Sequence, residues 1–319
     1  NEYGVETKIE RGGRVFPVSD KAADVVKALR KFALKPNVKL KKADAQKILV
    51  ESGAVTGVKT DKGVIKGERV ILCTGGKSYP LTGSDGSGYK MAAALGHTVT
   101  ELNPSLVPIV TEEKWVRGVM GLTLKNVAVK VKSGGKTVYE DFGEMLFTHF
   151  GVSGPIILSM SAHLRDPQKN KYRIEIDLKP ALDEKKLSQR ITRDFEKYSR
   201  KQLINALDDL LPKNLIPTII TLAGLDPRKS VSQITKAERA ALVGAVKCVP
   251  LNVRGFRPIE EAIVTSGGIK TSEINPSTME SKLINGLFFA GEIIDADGYT
   301  GGYNLQMAYS TAYLAGTNV

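Results

Sequence analysis

The chain has 319 residues, 42% apolar and 25% charged, which is enough to build two or three domain cores. No apolar run approaches the ~20 residues of a membrane helix and no charged, apolar, small-residue leader opens the chain, so the expectation is a cytoplasmic, non-membrane protein. The net charge of +12 is spread along the chain in short clusters such as Lys39-Lys41-Lys42, without interleaved aromatics, which argues against a nucleic-acid partner. Two cysteines, Cys73 and Cys248, are too few for a disulfide framework or a metal site.

Taken in order, residues 11–17 (RGGRVFP) form a glycine-proline loop. Ser19 and Asp20 then read as N-cap and first turn of a helix that buries Ala22, Val25, Val26, Leu29 and Ala33. Residues 38–73 read as strands, with turns at Glu51-Ser52-Gly53 and Asp61-Lys62-Gly63. The last strand, Val70–Cys73, leads into Thr74-Gly75-Gly76, where bare backbone lets a cofactor approach closely. The loop Gly83–Gly88 lacks the Lys-Ser/Thr of a phosphate-binding loop, so it reads as a connection to a short helix stopped at Gly96.

After Asn103-Pro104-Ser105 the pattern changes to alternation. Val127, Val129 and Val131, a Ser133–Lys136 turn, and Arg173–Leu178 suggest a β-barrel-like insert. Within it His149 is a candidate proton shuttle, the alternative being a histidine that fixes its loop through backbone bonds. Ser153 has no adjacent base and no nucleophile elbow, which rejects a hydrolase. Residues 183–245 read as helical: Leu187, Ile191, Phe195 and Tyr198, then Leu203, Leu207, Leu210 and Leu211, then a capping box at Thr235–Glu238. Strands return at Val249–Val253 and Ala262–Thr265.

The stretch Gly286–Gly316 combines a buried parallel strand (Leu287–Ala290), a glycine turn at Gly291, acidic residues Glu292, Asp295 and Asp297, and a loop through Gly298, Gly301 and Gly302. A helix follows, with Leu305, Ala308, Tyr309, Ala312 and Tyr313 as its expected buried face. Bare glycines accept a flat ligand, carboxylates take sugar or ribityl hydroxyls, and free N–H groups at the helix start favour negative charge.

GEIIDADGYTGGYNLQMA, together with Val70–Pro80, resembles the bacterial family of NAD(P)/FAD-dependent oxidoreductases that includes aminoacetone-oxidase-like and bile-acid-pathway flavoproteins. The resemblance implies an α/β fold: a discontinuous Rossmann-like FAD domain (1–104 and 261–319), an inserted β-barrel-like domain (105–180 and 249–260) and a small helical domain (181–248). It implies FAD held by Ala45, Thr74, Gly75, Gly76, Gly291, Glu292, Asp295, Gly301, Gly302, Tyr303, Asn304 and Leu305, with Arg14 and His149 as candidates for the chemistry. No strand followed by G-x-G-x-x-G is present, so the family's first βαβ unit, with its pyrophosphate contacts, is expected upstream of Asn1.

The expected reaction is hydride transfer from a small molecule such as an amine to the flavin. Two alternatives stand beside it. One is NAD(P)H-dependent reduction of an enone or steroid-like substrate, for which no second nucleotide fingerprint is visible; the other is a flavin-free binding module using the basic surface.

Overall fold

The computed structural model describes residues 3–10, 13–167 and 169–319; Arg11 and Gly12 of the expected loop lie outside them. In chain order the strands are β1 (Thr7–Glu10), β2 (Arg14–Pro17), β3 (Ala45–Glu51), β4 (Ala54–Thr60), β5 (Gly63–Lys66), β6 (Val70–Leu72), β7 (Asn103–Ser105), β8 (Ile109–Thr111), β9 (Thr123–Ser133), β10 (Lys136–Phe147), β11 (Gly151–Ser153), β12 (Arg173–Asp177), β13 (Val249–Phe256), β14 (Val264–Ser266) and β15 (Leu287–Phe289). The helices are α1 (Ala22–Ala33), α2 (Ser87–Ala93), α3 (Pro155–Ser161), α4 (Glu184–Lys197), α5 (Ile216–Leu222), α6 (Lys236–Lys247) and α7 (Tyr303–Asn318). The chain divides into two compact units: unit 1 is Asn1–Gly75, Gly86–Thr100 and Gly267–Val319, and unit 2 is Gly76–Asp85 and Glu101–Ser266.

Unit 1 is built on the parallel pair of β6 and β15, in register Val70–Leu287 to Leu72–Phe289. Leu287, Phe288 and Phe289 are all buried, as expected for a strand covered on both faces. The antiparallel meander β3-β4-β5 and the hairpin β1-β2 complete its strands. Two expectations for α1 fail. Its N-cap is Lys21, without a side-chain cap bond, while Asp20 takes a positive φ of 54° and Ser19 Oγ donates to Asp24 instead. None of its residues is buried: Val26 is 62% exposed and Leu29 46%, Phe32 touching the ring of Tyr3 edge-on.

The face of α7 is also corrected. Leu305, Tyr309 and Tyr313 are exposed, and the packed side carries Met307, Ala308, Thr311, Leu314 and Ala315. The reason is close approach to the backbone at Gly291, whose N–H donates to Thr311 Oγ1 at 2.9 Å; tyrosines do not fit at that distance.

Unit 2 contains a closed barrel of six strands in the order β10-β11-β8-β13-β12-β9, every pair antiparallel. Alternation sends Val127, Val129, Val131, Ile174, Ile176, Val249 and Leu251 inward, where they are buried. The helical segment shares this core through Leu187, Ile191, Ile219 and Leu242. Leu203–Leu211 is not an α-helix but a 3-10 turn and bends, its leucines still buried. The capping box at α6 is present: Thr235 Oγ1 accepts from Glu238 N, and Glu238 Oε2 accepts from Thr235 N.

Candidate functional site

Because β6 and β15 are parallel, their C-terminal ends emerge at one edge of unit 1. There β6 continues into Thr74-Gly75 and β15 into Ala290-Gly291. This is the edge at which open α/β sheets bind ligands. Gly291–Ile293 forms a 3-10 turn, and the segment then threads between neighbours: Ile269 N donates to Ile293 O at 2.9 Å, and Asp295 N donates to Ile269 O at 2.9 Å.

The glycine loop is held from below by α7. The Asn304 side chain clamps one peptide, Oδ1 accepting from Gly298 N and Nδ2 donating to Gly298 O, both at 2.8 Å. Gly301 and Gly302 follow with φ of 116° and 97°, Gly302 being the N-cap of α7. The first intrahelical bond there runs from Gln306 N to Gly302 O, so the N–H groups of Tyr303, Asn304 and Leu305 form the positive end of a 16-residue helix. Arg14 belongs here as well: a Cβ placed on Gly301 would stand 3.7 Å from Arg14 Cδ, and the guanidinium carbon lies 5.8 Å from the Phe16 ring centroid. Arg14 and Phe16 lie on β2 rather than in the expected loop.

Arg14, Thr74, Gly75, Gly291, Glu292, Asp295 and Gly301–Leu305 all belong to unit 1, with Arg14 beside Gly301 and Thr74 and Ile293 both against Gly88. Ala45 sits exposed at the start of β3, paired with Thr60. Gly76 and His149 belong to unit 2. His149 is exposed in the β10–β11 turn, its ring 4.9 Å from that of Phe150.

Two residues absent from the sequence expectation matter at this edge. Tyr89 of α2 is buried, and its hydroxyl donates to the backbone oxygen of Glu292 at 3.3 Å. Burial raises its phenol pKa well above the ordinary value, with the Glu292 and Asp295 carboxylates adding to the rise, so Tyr89 stays a neutral donor. The second is His97, buried behind β15 against Phe289 at 4.8 Å between ring centroids. Its Nδ1 is 3.2 Å from Glu273 Oε2 and its Nε2 is 2.9 Å from Ser281 Oγ. A carboxylate only accepts, so the neutral ring carries its proton on Nδ1 and accepts from Ser281. No spacing in the sequence signals either contact, since the partners are about two hundred residues apart.

Burial lowers the His97 pKa below its ordinary value, against the opposing pull of Glu273. The unfolded chain therefore takes up the proton first as pH falls. His97 contributes stability that is fully present above about pH 6.5 and is lost as pH falls from there through the folded-state pKa. Thermal unfolding between about pH 7.5 and 5 is expected to show a steeper loss for the native protein than for His97→Gln; equal slopes would remove His97 as the cause.

Thr74 Oγ1 is buried without a hydrogen-bond partner among the described residues, directly at the edge where the ends of β6 and β15 meet. That hydroxyl is turned toward Gly88 and the Ile293 side chain, so it is a packing contact between the β6 exit and α2. The bare glycines, the two carboxylates and the positive helix end fit the flavin end of a dinucleotide.

The family description "HI0933-like protein Rossmann domain" matches residues 1–318. A 3-dehydro-bile acid delta(4,6)-reductase of Clostridium scindens is 31% identical over 98% of this chain and 76% of its own length. A ribosomal RNA dihydrouridine synthase of Escherichia coli is 30% identical over 98% of this chain and 76% of its own, and that of Haemophilus influenzae is 32% identical over 79% and 60%. Among solved structures, Aquifex aeolicus GidA in its form II crystal shares 14% identity at a TM-score of 0.33, and the chain spans 51% of that protein's length. A family match over essentially every residue, with relatives at 30% and 31% identity along the same span, makes this chain a member of the HI0933-like protein Rossmann domain family.

Proposed function

We propose that the protein is a flavin-dependent oxidoreductase that reduces a carbon–carbon double bond conjugated to a carbonyl. The N-terminus of α7, opening at Gly302 behind the bare Gly301-Gly302 backbone, carries the cofactor half of this reading. The relatives support the direction. A delta(4,6)-reductase of a 3-dehydro steroid and a dihydrouridine synthase both saturate a C=C bond conjugated to a carbonyl. They favour the reductive alternative over oxidation of an amine.

In this reading Gly75, Gly291, Gly301 and Gly302 let a flat ring lie against backbone. Glu292 or Asp295 accepts from ribityl hydroxyls. The N–H groups of Tyr303, Asn304 and Leu305 stabilise the negative charge that accompanies reduction. Tyr89 keeps the Glu292 turn in place. Ala45 offers backbone to the adenine. Bound FAD would supply the hydride chemistry, with NAD(P)H as electron source.

FAD titrated into this chain and into a version extended upstream of Asn1 is expected to shift the flavin bands near ~370 and ~450 nm, and to remain bound through gel filtration in the extended form. Added NAD(P)H is expected to bleach the ~450 nm band. A spectrum identical to free FAD at every concentration in both forms would overturn the cofactor reading and return the basic binding module to first place.

A further inference from the structure

Unit 2 contains an open cavity of about 840 Å³ between the C-terminal end of α3, the end of β13 and the β7/β14 pair. Four cations line it: Arg165 and Lys169 from the segment after α3, Arg254 and Arg257 from β13 and its exit. Lys169 is paired with Asp166 at 2.7 Å. Arg257 is held twice, by Glu261 through Nε at 2.9 Å and by the Phe150 ring at 4.7 Å. Among the described residues, neither the Arg165 nor the Arg254 guanidinium has a carboxylate partner. Phe256 supplies an aromatic wall beside them.

Two unpaired guanidinium groups, delivered to one cavity by different elements, suit more than one anionic oxygen group. A single carboxylate can take one fork or bridge both, but offers one charge to two cations. A chain of phosphodiesters matches both, because guanidinium forks fit phosphate oxygens and successive phosphates repeat the charge. An aromatic wall next to paired cations is how sequence-tolerant sites hold a single strand: backbone on the positive groups, a base on the ring. A duplex is too wide to enter a cavity of this volume and would meet only its rim.

We propose that this cavity binds the phosphodiester backbone of a single-stranded polynucleotide through Arg165 and Arg254, with Phe256 offering a stacking face. The assignment rests on the reading above that the substrate is a conjugated C=C, a bond that the uracil ring of a polynucleotide carries. It revises the view that the basic charge is only dispersed: the fold gathers Arg165 and Arg254, far apart in sequence, into one cavity.

The test is fluorescence anisotropy of the whole protein with a fluorescein-labelled short oligouridylate over a salt series. R165Q/R254Q is expected to weaken binding by about tenfold or more and to reduce the salt slope by about two, roughly one for each lost phosphate contact. R165K/R254K, which keeps the charge, is expected to keep the salt slope. K185Q/R193Q, which removes the same charge from the exposed side of α4, is expected to change affinity less than about threefold. Equal loss in K185Q/R193Q would mean diffuse attraction and overturn the site. Displacement of the oligonucleotide by inorganic phosphate or cholate at the same anion concentration would assign the pair to a free phosphate or a carboxylate and overturn the strand. Displacement by FAD would assign it to the cofactor. The binding signal needs neither flavin nor turnover, so its failure leaves the cofactor reading standing, and a failed FAD titration leaves this one standing.

Discussion

Replacing Gly268 with alanine is expected to destabilise unit 1 by about 3 kcal/mol or more. Gly268 has a φ of +153°, and a Cβ there would lie 2.6 Å from Ile293 O, 2.8 Å from Ile294 C and 2.9 Å from Asp295 N. All three are backbone atoms, so no side chain can swing aside. The residue is also fixed on its other side: its N–H donates to Thr100 Oγ1 at 2.9 Å and its carbonyl accepts from Thr100 N at 2.8 Å. Relief comes only by moving the Ile293–Asp295 segment, which carries Asp295 and directly follows Glu292, the two carboxylates assigned to the flavin. Denaturant unfolding and FAD affinity are expected to fall together. Gly96→Ala is the control: its φ is +91° with nothing within 4 Å of the added methyl, so it costs conformational strain alone, about 1 kcal/mol. Equal losses in the two variants would show that the crossing at Gly268 is not tight.

A second pair isolates Thr74. Gly88 lies in the first turn of α2, and a Cβ there would stand 2.0 Å from Thr74 Oγ1 and 2.8 Å from Ile293 Cδ1. Gly88→Ala is expected to cost about 2 kcal/mol from overpacking. Thr74→Ala is expected to be close to neutral for stability, because it removes a buried hydroxyl that has no partner. Combined, Thr74→Ala should recover more than half of the Gly88→Ala loss, a coupling of about 1 kcal/mol or more. Strict additivity would disprove the contact.

The parts of this molecule that follow from local rules were legible in the sequence. The capping box at Thr235 and Glu238 and the alternation of Val127, Val129 and Val131 needed only neighbours, and each is present as expected. The buried face of α4 was legible, with Leu187, Ile191 and Phe195 all buried, but the faces of α1 and α7 were not. Leu305, Tyr309 and Tyr313 make a clean apolar stripe, yet Thr311 and Asn304 set the rotation of α7 by bonding to Gly291 and the Gly298 peptide. Periodicity counts hydrophobic residues and does not weigh a close backbone approach. Ser19 looked like a cap because its type is right, but its hydroxyl serves Asp24. Candidates near one another in sequence, such as Gly291 to Leu305, converge in unit 1. Tyr89, His97 and the Arg165–Arg254 pair depend on contacts that no linear pattern encodes.

The parallel pairing of β6 with β15 also dictates an order of assembly. Val70–Leu72 is synthesised more than two hundred residues before its partner Leu287–Phe289, and every residue of the barrel lies between them. β8 likewise waits for β13, but that closure is complete once Phe256 has emerged. On a ribosome adding residues one by one, the barrel with its helices can finish while the nucleotide-type sheet still has a vacant side. During that interval Val70, Ile71 and Leu72 form a short, β-branched, apolar strand with an unpaired edge. The nascent chain is then most exposed to wrong pairing, and most in need of a chaperone, just before residue 287 appears.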